Sequence, residues 1–357
     1  MQMRIKHIKT EHRRVIVISD IHGNLPFFQG LLDSVGFCKK DILILLGDIL
    51  EKGQHSLKLL RYIWKLERDY AVYSICGNCD ALVRQFFASP RLDELFFRQY
   101  LAEHPESTLC QLAMELNCPI DDLHHLRTQL RTHYQDVYQW IDRLPISIRS
   151  ETMVFIHGGV PSLKNLPRSH PWSCMKNDYF YQKNHSFSKY MVVGHCPVTL
   201  YREDIPSATP IIDHERKIIS IDGGCVLKLD GQLNALLIEN GTFSTASYDG
   251  LPKIKALTSQ APSQNPLNIR WGRSKIEVIS KGEEFSTCLH HETGQQMEIL
   301  SKFIYQKGAD TLCEDSTNYH LPVEVGDLLS VSEIVTGGVL AKKDGVTGWF
   351  FGEYTTI

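Results

Sequence analysis

The chain has no excess of basic charge. Its 357 residues carry 38 lysines and arginines against 41 aspartates and glutamates, a formal net charge of -3. That balance excludes bulk binding to a nucleic-acid backbone. No apolar run is long enough to cross a membrane, and the N-terminal stretch is too polar for a signal peptide. Ten cysteines are present but scattered without a framework pattern. A reducing, cytoplasmic setting is therefore expected. No internal repeat stands out. What remains is 43% hydrophobic and 22% charged residues, an ordinary soluble balance. The length suffices for a full α/β domain and a smaller companion.

What is there is organised by short apolar runs. Val15-Ile16-Val17-Ile18 is a strand suited to burial on both faces. It ends in Ser19-Asp20-Ile21-His22-Gly23, where an extended backbone would point Asp20 and His22 the same way. Asn24 is placed to cap a helix opening at Leu25-Pro26. A second run, Ile42 to Leu46, ends in Gly47-Asp48, with Glu51-Lys52-Gly53 in the next loop. A helix is expected over 54–68, then a third strand over 71–75 that ends in Cys76-Gly77-Asn78-Cys79-Asp80. Three strand–loop–helix units of this kind favour a largely parallel sheet. Residues 81–142 read as helical, with helices over 91–103, 108–116 and 121–143, and form an insert capping the site. Strands resume at Met153–Ile156 before His157-Gly158-Gly159, and at Tyr190–Val193 before Gly194-His195. Lys217–Ile221 ends at Asp222, and residues 226–238 read as a hairpin turning at Asp230-Gly231. These later strands suggest a second sheet packed on the first.

Asp20, His22, Asp48, Asn78, His157 and His195 each follow an apolar run and sit beside a glycine. Successive strand ends converge on one sheet edge, where α/β proteins build their sites. Carboxylates, imidazoles and one amide suit two divalent cations, manganese first, with iron or zinc as alternatives. Asp48 is the natural bridge between them. Such a pair lowers the pKa of a bridging water and clamps a phosphoryl oxygen for in-line displacement.

Asp20-Ile21-His22-Gly23, Gly47-Asp48, Glu51-Lys52-Gly53, Gly77-Asn78-Cys79-Asp80, His157-Gly158-Gly159 and Gly194-His195 resemble, in order, the signature blocks of calcineurin-like metallophosphoesterases. With Trp140 to Pro145 before the fourth block, the chain looks most like the phosphoprotein phosphatase branch. The resemblance spans roughly residues 15–240. It implies an αββα sandwich, with Asp20, His22, Asp48 and His195 around one ion and Asp48, Asn78 and His157 around the other. The activity implied is hydrolysis of phosphate esters, first of the Ser/Thr protein phosphatase type. Dinucleoside polyphosphate or phosphodiester hydrolysis is the alternative. Substrates are then phosphorylated proteins or small phosphate esters.

Two positions depart from the branch. It usually has Asp-Arg-Gly where this chain has Glu51-Lys52-Gly53, and lysine lacks the planar fork that grips phosphate. It usually has histidine after the third-block asparagine, where this chain has Cys79. A protonated thiol could serve the leaving group, assisted by Asp80 or Glu51, though less well than imidazolium. Lys52 and Arg84 are the candidate phosphate ligands. Cys76-Gly77-Asn78-Cys79 is also a Cys-x-x-Cys, so a redox pair or half a zinc site is a rival reading.

The texture changes near residue 251. The domains expected are a metallophosphoesterase domain over 1–250 (with the insert at about 86–140), a linker over 251–267, and a small all-β domain over 268–357. Gly345-Val346-Thr347-Gly348-Trp349 resembles the end of SH3-like barrels, which bind peptides or cell-wall fragments, although Trp349 reads first as a core residue. A metal-stiffened binding scaffold is the reading from another class.

Overall fold

A computed structural model describes residues 2–10 and 12–357. It divides into two compact units. The first comprises Met1–Pro197, Pro210–Leu227 and Gly231–Tyr248. Its strands are β1 (Ile5–His7), β2 (Val15–Ile18), β3 (Ile42–Leu45), β4 (Ala71–Ser74), β5 (Ser147–Arg149), β6 (Met153–Ile156), β7 (Tyr190–Val193), β8 (Ile211–Asp213), β9 (Ile218–Ser220), β10 (Leu233–Glu239) and β11 (Thr242–Tyr248). Its helices are α1 (Leu25–Ser34), α2 (Ser56–Asp69), α3 (Asn78–Ala88), α4 (Glu94–Glu103), α5 (Thr108–Glu115), α6 (Leu123–His133), α7 (Gln135–Arg143) and α8 (Pro171–Met175).

One sheet runs β11-β10-β2-β3-β4 and the other β1-β5-β6-β7-β9-β8. Strands β2, β3 and β4 are parallel neighbours, as are β6, β7 and β9. Strands β2, β3 and β6 are buried on both faces because their side chains alternate between two cores. Val15, Val17, Ile42 and Ile44 meet Phe155, Val192 and Ile219 of the other sheet. Ile16, Ile18, Leu43 and Leu45 join the core that holds Phe28, Leu60 and Phe86 of the helices. The helix–sheet–sheet–helix layering follows from that alternation.

Three expectations are corrected. The hairpin lies later than the Asp230-Gly231 reading put it. β10 pairs with β11 across Asn240-Gly241, whose φ of 51° and 79° suits a tight two-residue turn. β10 also pairs with β2, so this hairpin extends the first sheet rather than the second. The helix expected over 121–143 is two, α6 and α7, broken where Tyr134 leaves helical geometry at φ -126°.

The second unit comprises Val198–Thr209, Lys228–Asp230 and Asp249–Ile357. It is all β among its regular elements apart from short 3₁₀ turns. A five-stranded sheet runs Val346–Phe350, Gly338–Lys343, Leu328–Val335, Lys253–Ala256, Tyr354–Thr356. A three-stranded sheet is built from 276–280, 285–290 and 296–300. Residues 251–267 are thus more than a linker: Lys253–Ala256 hydrogen-bonds to strands on both sides. Two apolar clusters fill the unit, one around Ile299 and Trp349, the other around Val331 and Phe350. Trp349 is a core residue whose indole N–H donates to the Thr317 carbonyl at 2.8 Å. Among the described residues no helix is long and apolar enough to cross a membrane.

Candidate metal centre

The ligand candidates leave the strand ends on tight loops, not on extended backbone. Asp20, His22, Asp48 and His195 have φ of 54°, 50°, 48° and 68°, a region non-glycine residues seldom occupy. Each costs about 1–3 kcal/mol, which the surrounding packing sustains. Glycines make the loops' close approach feasible. A Cβ on Gly194 would stand 1.8 Å from Ser19 Oγ, and one on Gly77 would stand 2.1 Å from the Asp48 backbone nitrogen. Only residues without a side chain fit there.

Backbone donors then fix the carboxylates. The N–H of His195 donates to Asp20 Oδ2 at 3.0 Å, and Ser19 Oγ bonds the same oxygen. The N–H of Cys79 donates to Asp48 Oδ1 at 2.8 Å. His157 is oriented from behind: Nδ1 lies 2.8 Å from the Leu46 carbonyl, which leaves Nε2 facing the acids. That Nε2 is 3.4 Å from Asp48 Oδ1 and 4.0 Å from Asp20 Oδ1. His22 Nε2 is 3.9 Å from Asp20 Oδ1 and 4.0 Å from Asp48 Oδ2.

The three gaps of 3.9–4.0 Å are too wide for hydrogen bonds, and the 3.4 Å one is long for one. Two donors bound about 2.0–2.2 Å from one cation would stand about 3–4 Å apart, which is the spacing found. Asp20 Oδ1, Asn78 Oδ1 and His157 Nε2 are buried without a hydrogen-bond partner. Orphaned buried polar atoms are costly unless a partner other than a hydrogen bond, such as a cation, satisfies them. The donor set therefore fits divalent cations.

The charges respond to this crowding. Burial alone would lift the Asp48 carboxyl, but His157, His22 and His195 hold it well below the usual range. Burial alone would lower the His157 imidazole, yet Asp48 and Asp20 prevail and raise it to about 10. His22 goes the other way, lowered chiefly by burial.

Not every nominated residue falls where the sequence suggested. The donor atoms of His195 gather with those of Asp48 and His157, all within 4.8 Å of one another. The sequence reading grouped His195 with Asp20 and His22, and its backbone N–H does bond Asp20, while its ring lies with Asp48 and His157. A second such group joins His22, Asp48 and Cys79. Asp80 is occupied by backbone: its oxygens accept from Ile49, Leu50 and Gly77 N–H at 3.1, 3.0 and 2.9 Å. It ties two ligand loops together rather than serving a leaving group. Glu51, fully buried, accepts from the Thr108 N–H at 3.1 Å and from the Tyr100 hydroxyl. It anchors the insert instead of assisting chemistry. Arg84 lies on the α3 face turned to α7 and pairs with Asp142 at 2.7 Å, so its guanidinium is not free for phosphate. Lys52 is half-buried and makes no hydrogen bond or ion pair among the described residues. Its charge acts on His22 and Glu51.

The sequence reading missed three residues. Asp222 is buried at the end of β9 with Oδ2 unpartnered, and burial followed by the Asp20 charge pushes it up. The Asp-Gly-Gly following that strand was the available signal. Asp178 holds His195 Nε2 at 2.7 Å, and Tyr100 holds Glu51. Both come from irregular or distant segments that no local pattern ties to the site.

The calcineurin-like phosphoesterase family model matches residues 13–215, more than half of the chain. The chain belongs to the calcineurin-like phosphoesterases. Among relatives, a symmetrical bis(5'-nucleosyl)-tetraphosphatase of Wigglesworthia glossinidia brevipalpis is 41% identical over 63 residues, 17% of this chain and 22% of that protein. A zinc-dependent endopolyphosphatase of Saccharomyces cerevisiae is 33% identical over 89 residues, 24% of this chain and 27% of that one. The chain therefore spans about a quarter of the length of these relatives. A solved structure of a serine/threonine phosphatase from Saccharomyces cerevisiae, with similarity to human PP5, aligns at TM-score 0.44 and 10% identity. It covers 70% of this chain and 85% of the other.

Proposed function

We propose that this phosphoesterase hydrolyses small phosphate compounds with good leaving groups, phosphoanhydrides of the dinucleoside polyphosphate class first. The observation that carries this reading is the chemistry around the proposed ligands. Cys79 stands where a proton-donating histidine would be expected, and Arg84, the nominated clamp, is committed to Asp142. Lys52 is left as the cation for a phosphoryl group, one point charge without a bidentate fork. An alkoxide leaving group such as serine needs protonation to depart, whereas a nucleotide phosphate leaves as a stable anion.

The residues proposed to hold two divalent cations are Asp20, His22, Asp48, Asn78, His157 and His195, with Asp48 shared. When bound, the cations supply Lewis-acid charge and an activated water. The chain's own part is to hold the donors on strained loops, to fix His157 through Leu46, and to bring Lys52 to the phosphoryl oxygens. The matched relatives from Wigglesworthia and Saccharomyces, named for tetraphosphate and polyphosphate substrates, favour the same bond type.

The test is a panel on metal-reconstituted full-length protein: a diadenosine polyphosphate, an aryl phosphate monoester, an aryl diester and a phosphoserine peptide. Turnover of the nucleotide or aryl compounds well above the peptide is expected. Preference for the peptide would overturn the leaving-group argument. Metal binding without turnover of any would favour a scaffold.

A further inference from the structure

Cys79 occupies the second position of α3, directly after Asn78. Its sulfur and the ligand atoms of His22 and Asp48 all lie within 4.8 Å of one another. The other two members are 2% and 3% exposed. Beside the group lies an unpartnered donor: Asp20 Oδ1, on a residue 1% exposed, is 3.9 Å from His22 Nε2. The sulfur also accepts a hydrogen bond from Asn78 Nδ2 at 3.4 Å.

We infer that Cys79 is a metal ligand, its thiolate joining His22 and Asp48 around one divalent ion and biasing that position toward zinc, iron(II) or cobalt(II) over manganese. The inference rests on the two-metal reading above. Carboxylates and imidazoles alone accommodate manganese as readily as zinc, and a sulfur donor shifts the choice to softer ions. On binding, the S–H proton passes to solvent and a sulfur lone pair goes to the cation. Neither an oxidant nor a reductant is involved. A sulfur held this way does not protonate a leaving group, which agrees with a substrate that requires no such help.

The experiment strips metal from the reduced full-length chain and titrates it with cobalt(II) alone. An intense near-ultraviolet sulfur-to-cobalt charge-transfer band is expected beside weaker d–d bands. C79S should lose the band, keep the d–d bands, and show a zinc-over-manganese preference reduced about tenfold or more. C79D, with an oxygen donor of similar reach, should bind cobalt without the band, and it stands in should C79S fold poorly. Cobalt d–d bands with no charge-transfer band, or a band that survives in C79S, would overturn the inference and leave the two-metal reading standing. Absence of cobalt binding in the wild-type chain would overturn both.

Discussion

At the scale of single residues, two aspartates do opposite kinds of work. Asp48 faces His22 and His157 across gaps of 4.0 and 3.4 Å that suit a shared cation. Asp48→Asn keeps the shape and one oxygen but removes the bridging charge. Turnover should fall by more than the roughly 10²–10³-fold typical of losing one electrostatic stabiliser, measured with metal in excess. Folded content by circular dichroism should be unchanged. Asp41 serves the fold. Its oxygens accept from Arg14 Nε at 3.0 Å, from Arg14 Nη2 at 2.7 Å and from the Cys38 N–H at 2.8 Å. Burial opposes ionisation there, but Arg14 and Cys38 prevail and hold the carboxyl below its ordinary value. A depressed carboxylate contributes its full stability above the unfolded value near 3.9, and loses it as pH falls through the lower folded value. Asp41→Asn should cost about 1.5 kcal/mol or more at pH 7. The gap from wild type should close only in strong acid, as denaturant melts across pH would report. Residue identities at the proposed centre were legible in the sequence because every strand end repeats the same polar-plus-glycine pattern. Their left-handed backbone was not. Asp20-Ile21-His22 reads as alternation along a strand, whereas hydrogen bonds from the neighbouring loops coil it.

At the scale of elements, the helical insert is fastened to the loop that presents Lys52. The Glu51 N–H donates to Thr108 Oγ1 at 3.2 Å, the Thr108 N–H returns to Glu51 Oε1 at 3.1 Å, and the Tyr100 hydroxyl takes the other oxygen. Glu51 and Lys52 both have positive φ, 73° and 68°. The insert thus holds a turn that would otherwise relax. Tyr100→Phe leaves a buried carboxylate oxygen without its donor, which costs about 1–3 kcal/mol. Burial already pushes Glu51 up, opposed first by Tyr100, so the variant should raise it further. Hydrogen exchange should quicken in α4 and α5. Adding Glu51→Gln removes the stranded charge, and the double variant should lose less than the two single losses combined. The insert's helices were readable from apolar spacing and from the cap at Ser107, while the start read at Asp121 lies one residue before the actual cap, Asp122. The break at Tyr134 was not, since neither proline nor glycine marks it. Nor was the Glu51–Tyr100 contact, because 49 positions separate the partners.

At the scale of the whole chain, the composition change near residue 251 suggests a phosphoesterase domain that ends there. The chain's path says otherwise. Residues 198–209 and 228–230 leave the first unit and are built into the second. Within that second unit, Arg270 Nε donates to the Leu200 carbonyl at 3.0 Å, the Ala208 N–H to Gly345 at 2.8 Å, and the Thr347 N–H to Pro206 at 3.0 Å. Lys228 pairs with Asp315 at 2.6 Å. Short excursions of this kind carry no signature of their own, since their partners lie about 70 to 140 positions away. A chain ended at residue 250 would keep the proposed ligands but leave those excursions without partners. Each lost hydrogen bond is worth about 0.5–1.5 kcal/mol, and 1 kcal/mol moves the midpoint of a domain this size by about 2–4 °C. The shortened chain should therefore melt about 10 °C or more below the full one, or fail to stay soluble. Differential scanning calorimetry of both, metal-free, decides the matter. An unchanged midpoint for the first unit would mean that the two excursions contribute nothing to its stability. The boundary at residue 250 would then be a true domain limit.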